Sequence, residues 1–248
     1  MHRFFLNAPL AENANEALLS GEEQHHLVSV LRLGPGDRAV LTDPAGTVCE
    51  AEIVENTDEG TLFRIIERMP PETENTRVRI TLFQGVPKGS KSDLIVQKGT
   101  ELGISAFVPF YSKRSVVRPS GSDSKKRQRL QRIAREAAKQ SGRVFVPEVS
   151  EFVPFAALEE AFRPFDAVLL AYENENNIRL KDLLQEMPRD RDLSVAVIVG
   201  PEGGFEDAET VRLALWGAKL FTFGRRILRT ETAGIAAAAQ INYEFDEG

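Results

Sequence analysis

The stretch from Val195 to Ala239 constrains the fold of this chain more than any other. It reads VAVIVG, PEGGF, a helix-like run, KLFTFG, then RRILRTETAG and an alanine-rich tail. Two apolar segments, 195–199 and 220–223, have the continuous hydrophobicity of strands buried on both faces of a parallel sheet. Each runs into a loop opening on glycine, Gly200 or Gly224. In open α/β sheets, ligands bind outside the carboxyl ends of the strands. The two loops are therefore expected to build one site.

The first loop, Gly200-Pro201-Glu202-Gly203-Gly204-Phe205, has three glycines in five residues, so its backbone can turn sharply and approach a ligand closely. It is neither the dinucleotide fingerprint nor a P-loop. It has no lysine for a phosphate, and Glu202 would repel one. A ligand with little phosphate charge, such as an adenosine or a sulfonium-bearing cofactor, suits it; taken alone, the loop fits a ligand-free strand-to-helix turn equally well. The second loop places Arg225, Arg226, Arg229 and Glu231 around only two apolar residues, Ile227 and Leu228. It precedes a helix expected at 233–239, which Thr230 or Thr232 is placed to cap. A solvated turn with a surface salt bridge is the alternative.

IVGPEGGF followed by FGRRILRTETA resembles the two C-terminal motifs of SPOUT-class methyltransferases. More narrowly, it resembles the small-subunit (16S) ribosomal RNA uridine N3-methyltransferase family. The likeness covers the whole chain: Met1-His2-Arg3-Phe4-Phe5, HLVSVLRLGPGD, QKGTELG, KQSGR, LLAYENE and both loops. Gly99 and Lys139 depart from the alanine or acidic residue usual in the family, and neither lies in the loops.

The resemblance implies a PUA-like β-barrel that helps hold RNA (residues 1–70), then an α/β SPOUT domain (71–248) with a parallel sheet and a deep C-terminal trefoil knot. It implies a homodimer with S-adenosylmethionine as cofactor and no metal. The cofactor would be held by Leu170, Ala171, Tyr172 and Glu173, by Val199, Gly200, Pro201, Glu202, Gly203 and Gly204, and by Phe223, Gly224, Ile227, Leu228, Arg229, Thr230, Thr232 and Ala233. Arg229 would stabilise charge on the uracil carbonyls, with Glu231 or Glu202 as proton acceptor. The implied target is uracil N3 of the uridine numbered 1498 in 16S ribosomal RNA, within the small ribosomal subunit. A non-enzymatic RNA-binding protein, a phosphate-dependent α/β enzyme and a SPOUT methyltransferase with another RNA target are the competing readings.

Charge bears on the partner. The chain of 248 residues has a net charge of −6, yet the segment 113–143 holds eleven basic and two acidic residues. One strongly basic strip on an otherwise acidic protein points to a directed polyanion contact. The strip divides into a polar loop (112–124), expected to be mobile, and a helix (125–140) with Leu130, Ile133, Ala134, Ala137 and Ala138 on one face. Arg3, Arg32, Lys88, Lys91, Arg114, Arg129, Arg132, Arg135 and Arg143 are the candidate RNA contacts. No apolar run is long enough to span a membrane and no signal-peptide core opens the chain, so a cytoplasmic protein is expected. The single Cys49 forbids an internal disulfide.

Along the chain, strands are expected at 3–6, 37–42, 48–55 and 62–67, with a helix opened by Ser20-Gly21-Glu22-Glu23 in capping-box form. A linker follows at 69–76. Strands at 77–86, 104–111, 166–172, 193–199 and 220–223 then alternate with helices carrying Leu94, Ile95 and Leu102, and at 155–161, 180–186 and 207–216.

Overall fold

The computed structural model describes residues 1–69 and 77–245; the linker expected at 69–76 lies outside them except for Met69. The chain divides into two compact units, Met1–Glu74 with Lys139–Phe145, and Asn75–Ala138 with Val146–Gly248.

The first unit is a five-stranded sheet built from β1 (His2–Phe5), β2 (Glu16–Leu19), β3 (Arg38–Thr42), β4 (Val48–Asn56) and β5 (Thr61–Arg68). The spatial order is β1-β3-β4-β5-β2, a half-barrel with β1 and β2 at its edges. Register shifts at Glu50/Ala51 and Ile53/Glu55 bend β4 against β5. The helix expected after Ser20 is brief: α1 (Glu22–His25) widens at once into a π-helical turn, His26–Val30, and Gly21 provides no side-chain cap. Leu27 is fully buried there with Phe4, Leu19, Leu41 and Phe63, closing the open side of the sheet.

The second unit carries a seven-stranded, all-parallel sheet. In chain order its elements are β6 (Val78–Gly85), α2 (Lys91–Glu101), β7 (Ala106–Tyr111), α3 (Asp123–Ser141), β8 (Glu148–Val149), β9 (Val153–Pro154) and α4 (Leu158–Ala161). They continue with β10 (Ala167–Ala171), α5 (Leu180–Gln185), β11 (Leu193–Val199), α6 (Asp207–Leu215), β12 (Ala218–Phe221) and α7 (Thr230–Phe245). The order is β12-β10-β11-β6-β7-β8, and β9 also pairs with β7.

The apolar character of β11 follows from burial on both faces. Val195, Val197 and Val199 enter a core with Leu82, Leu183 and Ala237, while Ala196 and Ile198 enter a second with Phe83, Phe162 and Phe205. The helix α7 buries Ala233, Gly234, Ala237, Ala238 and Ile241 at helical spacing against β6 and β11. A Cβ on Gly234 would lie 2.8 Å from Leu82 Cδ2, so the absent side chain lets helix backbone approach the sheet. The alanine-rich face is thus core packing within the chain. In α3 the buried residues are Leu130, Ala134, Ala137 and Ala138. Leu94 of α2 is 43% exposed, whereas Ile95 and Val96 are buried, so its apolar face is rotated from the expected one. Among the described helices none is long and apolar enough to cross a membrane.

Candidate active site

The sheet order makes β12, β10 and β11 neighbours, so the loops leaving their carboxyl ends meet. Between them lies a cleft of ≈ 420 Å³, within the usual range for small-molecule sites.

The β11 loop is shaped by its glycines and its phenylalanine. A Cβ on Gly200 would come within 2.9 Å of the Phe205 ring, and Gly204 has φ +64°. Phe205 is thereby folded back into the core, stacked on Phe110 with an interplanar angle of 7°. Glu206 then caps α6 in a reciprocal capping box with Glu209. The β12 loop is held from both ends. Thr222 Oγ1 donates to the Gly224 carbonyl, and Thr222 N–H donates to the Ile178 carbonyl. At the far end Thr230 Oγ1 donates to the Gly200 carbonyl at 2.6 Å and accepts from Gln84 Nε2 at 2.8 Å. Thr230 is the first residue of α7, and its hydroxyl ties the second loop to the first.

Most of the residues singled out from sequence line the cleft. Ala171, Tyr172 and Glu173 do so after β10; Val199, Gly200, Pro201, Glu202 and Gly204 after β11; Phe223, Gly224, Ile227, Leu228, Arg229, Thr230 and Ala233 after β12. Three do not. Leu170 is fully buried between sheet and helices. Gly203 faces away: a Cβ there would lie 3.1 Å from Arg114 Cβ and from its carbonyl oxygen. Thr232 is exposed on the first turn of α7. Lining residues that the sequence did not mark for the cleft are Lys91, Phe205, Phe221, Thr222 and Arg226. Phe221 and Thr222 were recoverable, because they adjoin Phe223. Lys91 gave no such signal.

Lys91 dominates the electrostatics. Its Nζ lies 2.9 Å from Glu202 Oε1 and 3.2 Å from Glu231 Oε2. Partial desolvation would raise the Glu202 pKa, but hydrogen bonds from Lys91 and backbone N–H groups outweigh it and hold the carboxyl below its ordinary value. Glu231 is lowered first by a backbone N–H, at the amino end of α7, and then by Lys91. A carboxylate held down in this way is a weaker base. Both carboxylates are tied to the Lys91 ammonium, an electrostatic frame across the cleft. Arg229 is separate: Nη1 is 4.0 Å from Glu231 Oε1 and its side chain is 83% exposed.

The other basic candidates fall in both units. In the first, Arg3 Nη1 donates to the Arg143 carbonyl, Arg143 is buried, and Arg32 adopts φ 56°. In the second, Lys88 and Arg132 are exposed, Arg129 pairs with Asp93, and Arg135 is half-buried. Arg114 Nη1 donates to the Gly203 carbonyl. Among the described residues no three His, Cys, Asp or Glu side chains are grouped to hold a metal ion.

The comparisons agree with this geometry. Residues 74–242 match the model of an RNA methyltransferase domain, and residues 19–65 that of an RNA methyltransferase PUA domain. The ribosomal RNA small subunit methyltransferase E of Bacillus subtilis is 35% identical over 99% of this chain and 98% of its own. That of Synechocystis is 33% identical over 90% of this chain and 72% of its own. The crystal structure of a ribosomal RNA small subunit methyltransferase E from Neisseria gonorrhoeae, bound to S-adenosyl methionine, superposes with a TM-score of 0.82. It shares 30% identity and covers 98% of this chain and 97% of its own. With both domains matched in order and homology running end to end, this chain belongs to the ribosomal RNA small subunit methyltransferase E family.

Proposed function

We propose that this protein transfers a methyl group from S-adenosylmethionine to N3 of a uracil in 16S ribosomal RNA, at the uridine numbered 1498, within the small ribosomal subunit. The observation that carries the reading is the cleft where the β10, β11 and β12 loops meet. Its rim holds Glu173, Glu202 and Glu231, and its one lysine is already paired with two of them. The three carboxylates suit a ligand with a positive sulfonium and an ammonium, while Arg226 and Arg229, which also line the cleft, remain for an anionic group of the cofactor or for the RNA. Backbone groups at Gly200, Phe223 and Leu228 are available to read an adenine, and Tyr172 and Ile227 offer it apolar surface. The residues present therefore fit this cofactor, which when bound supplies an electrophilic methyl group.

The chain's own contribution is alignment and charge. The two loops fix the nucleophile's approach to the methyl carbon. Arg229, exposed at the mouth of the cleft and held only loosely by Glu231, is placed to hydrogen-bond uracil O2 or O4 as N3 gives up its proton, directly or through water, to the Glu231 or Glu202 carboxylate. It stays protonated at any working pH and so stabilises charge without acting as base. RNA is held by the N-terminal half-barrel and by the basic residues of α3. The reading extends to a cytoplasmic homodimer whose C-terminal segment forms a trefoil knot, as the family kinship suggests.

The test is methylation of small subunits lacking the mark, read by reverse transcription. N3-methylation removes the Watson–Crick donor of uracil, so the expected result is a cofactor-dependent stall at one uridine. A stall at another nucleotide would reassign the target. No incorporation at all, with RNA binding intact, would leave a binding protein in place of an enzyme.

A further inference from the structure

Lys91 stands in a row of basic residues with Lys88 that reads, in sequence, as a phosphate contact. The structure surrounds it differently. It opens α2, a helix that contributes no other residue to the cleft lining. From there its ammonium reaches carboxylates on two separate walls, Glu202 of the β11 loop at 2.9 Å and Glu231 of α7 at 3.2 Å. Glu202 is fixed further by the Lys88 backbone N–H at 3.1 Å. All three side chains are two-thirds or more buried, at 33%, 27% and 14% exposure. On its own helix, Asp93 is taken up by Arg129. Arg229 lies beyond Glu231 at 4.0 Å, so Lys91 rather than Arg229 joins the two carboxylates, beside the Thr230 hydroxyl that ties the start of α7 to the Gly200 carbonyl.

We propose that Lys91 is a positioning residue for methyl transfer: one ammonium, paired with Glu202 and Glu231 together, holds the β11 loop and the start of α7 in the register that forms the cofactor cleft. It leaves Arg229 free for the substrate. The inference rests on the function proposed above. Glu202 and Glu231 converge on one nitrogen, so without it two like charges face each other across the cleft. The charged groups around that nitrogen are these two carboxylates, with Arg229 beyond. The Lys91 pKa is raised, chiefly by its hydrogen bond to Glu202, as expected of an ammonium engaged throughout the neutral range.

The test uses the full chain and S-adenosylmethionine itself, by calorimetry between about pH 5 and 8, with thermal melting of each variant to establish folding. Lys91→Met is expected to bind about tenfold more weakly near neutrality. It should recover toward the acid end, where protonation of either carboxylate relieves the repulsion. Wild type should show little dependence over the same range. Lys91→Arg, which can pair with both carboxylates, should restore most of the affinity, and Lys91→Met with Glu202→Gln should recover the melting temperature that Lys91→Met loses. A folded Lys91→Met that binds cofactor as wild type does would overturn the proposal. So would an equal loss of affinity at every pH with no rescue by Lys91→Arg. Retained cofactor affinity with weaker, less salt-dependent subunit binding would make Lys91 an RNA contact instead. Wild-type protein that binds no cofactor refutes the proposed function as well, and that result is distinct from a defect confined to the variants.

Discussion

Gly85→Ala tests how tightly the cleft is built on the sheet. Gly85 ends β6, and Val199 of β11 is in register with Gln84, so Gly85 lies beside the start of the β11 loop. A Cβ there would sit 2.5 Å from both Cδ and N of Pro201 and 2.9 Å from the Gly200 carbonyl carbon. These are ring and backbone atoms, with no flexible tip to swing aside. Ordinary carbon contacts begin near 3.4 Å, so the loop must retreat by roughly 1 Å. Overpacking of this kind costs about 1–3 kcal/mol. In a domain of this size each kcal/mol lowers the melting temperature by about 2–4 °C. A displacement of about 1 Å at a reacting centre costs on the order of a hundredfold in rate. The assay is thermal melting, cofactor calorimetry and single-turnover methylation, with Gly121→Ala, which has nothing within 4 Å, as control. The expected result is a small loss of stability and a large loss of activity. Wild-type melting, affinity and rate in Gly85→Ala would refute the claim that β6 supports the loop by direct contact.

Thr230→Val keeps the side-chain shape but leaves the Gly200 carbonyl and the Gln84 amide without their shared hydroxyl; a loss of about 1–3 kcal/mol is expected by denaturant unfolding. Thr230→Ser should retain most of that stability. Arg229→Ala and Arg229→Lys should both slow single-turnover methyl transfer by about a hundred- to a thousandfold while cofactor affinity changes much less; a full rate with weakened cofactor binding would make Arg229 a loop brace. Asp166 accepts from Ser194 N–H and Oγ and pairs with Arg191, which brings its pKa from 3.8 to about 2. Because the folded value lies below the unfolded one, its contribution is present above pH 3.8 and fades as pH falls toward about 2. Asp166→Asn should therefore cost about 1 kcal/mol near neutrality, a figure reduced for solvent exposure, and nothing in strong acid.

The sequence was most legible where burial is two-sided. The strand expected at 193–199 is β11 to the residue, because neither face admits a polar side chain except at Ser194. The last strand was expected at 220–223 and lies at Ala218–Phe221. Exposed Lys219 interrupts the apolar run, and Phe223 prolongs it past the ladder, where the chain has already turned into the cleft. The strands β8 and β9 are two residues each, too short for any period to register. Glu16–Leu19 reads EALL, a helix-favouring composition, and becomes an edge strand only because β5 is there to pair with it.

The site divides along the same line. Glycines and apolar residues beside a strand end announce a cleft through local constraint, and most of those named do line it. Lys91 and Gly85 matter through what stands opposite them, and for Lys91 that is a carboxylate 111 residues away. Charge adds a further ambiguity, because a lysine's sequence neighbours do not decide what its ammonium meets. Lys88 and Lys91 are three residues apart in one basic run, yet Lys88 is exposed and, among the described residues, only its backbone N–H is engaged, by Glu202. The Lys91 ammonium is neutralised by two carboxylates. A polyanion approaching that run would meet one available cation where the sequence counts two. A phosphate contact assigned to Lys91 would have to break two ion pairs at the cleft before gaining one with RNA, which makes Lys91 the poorer phosphate ligand of the two.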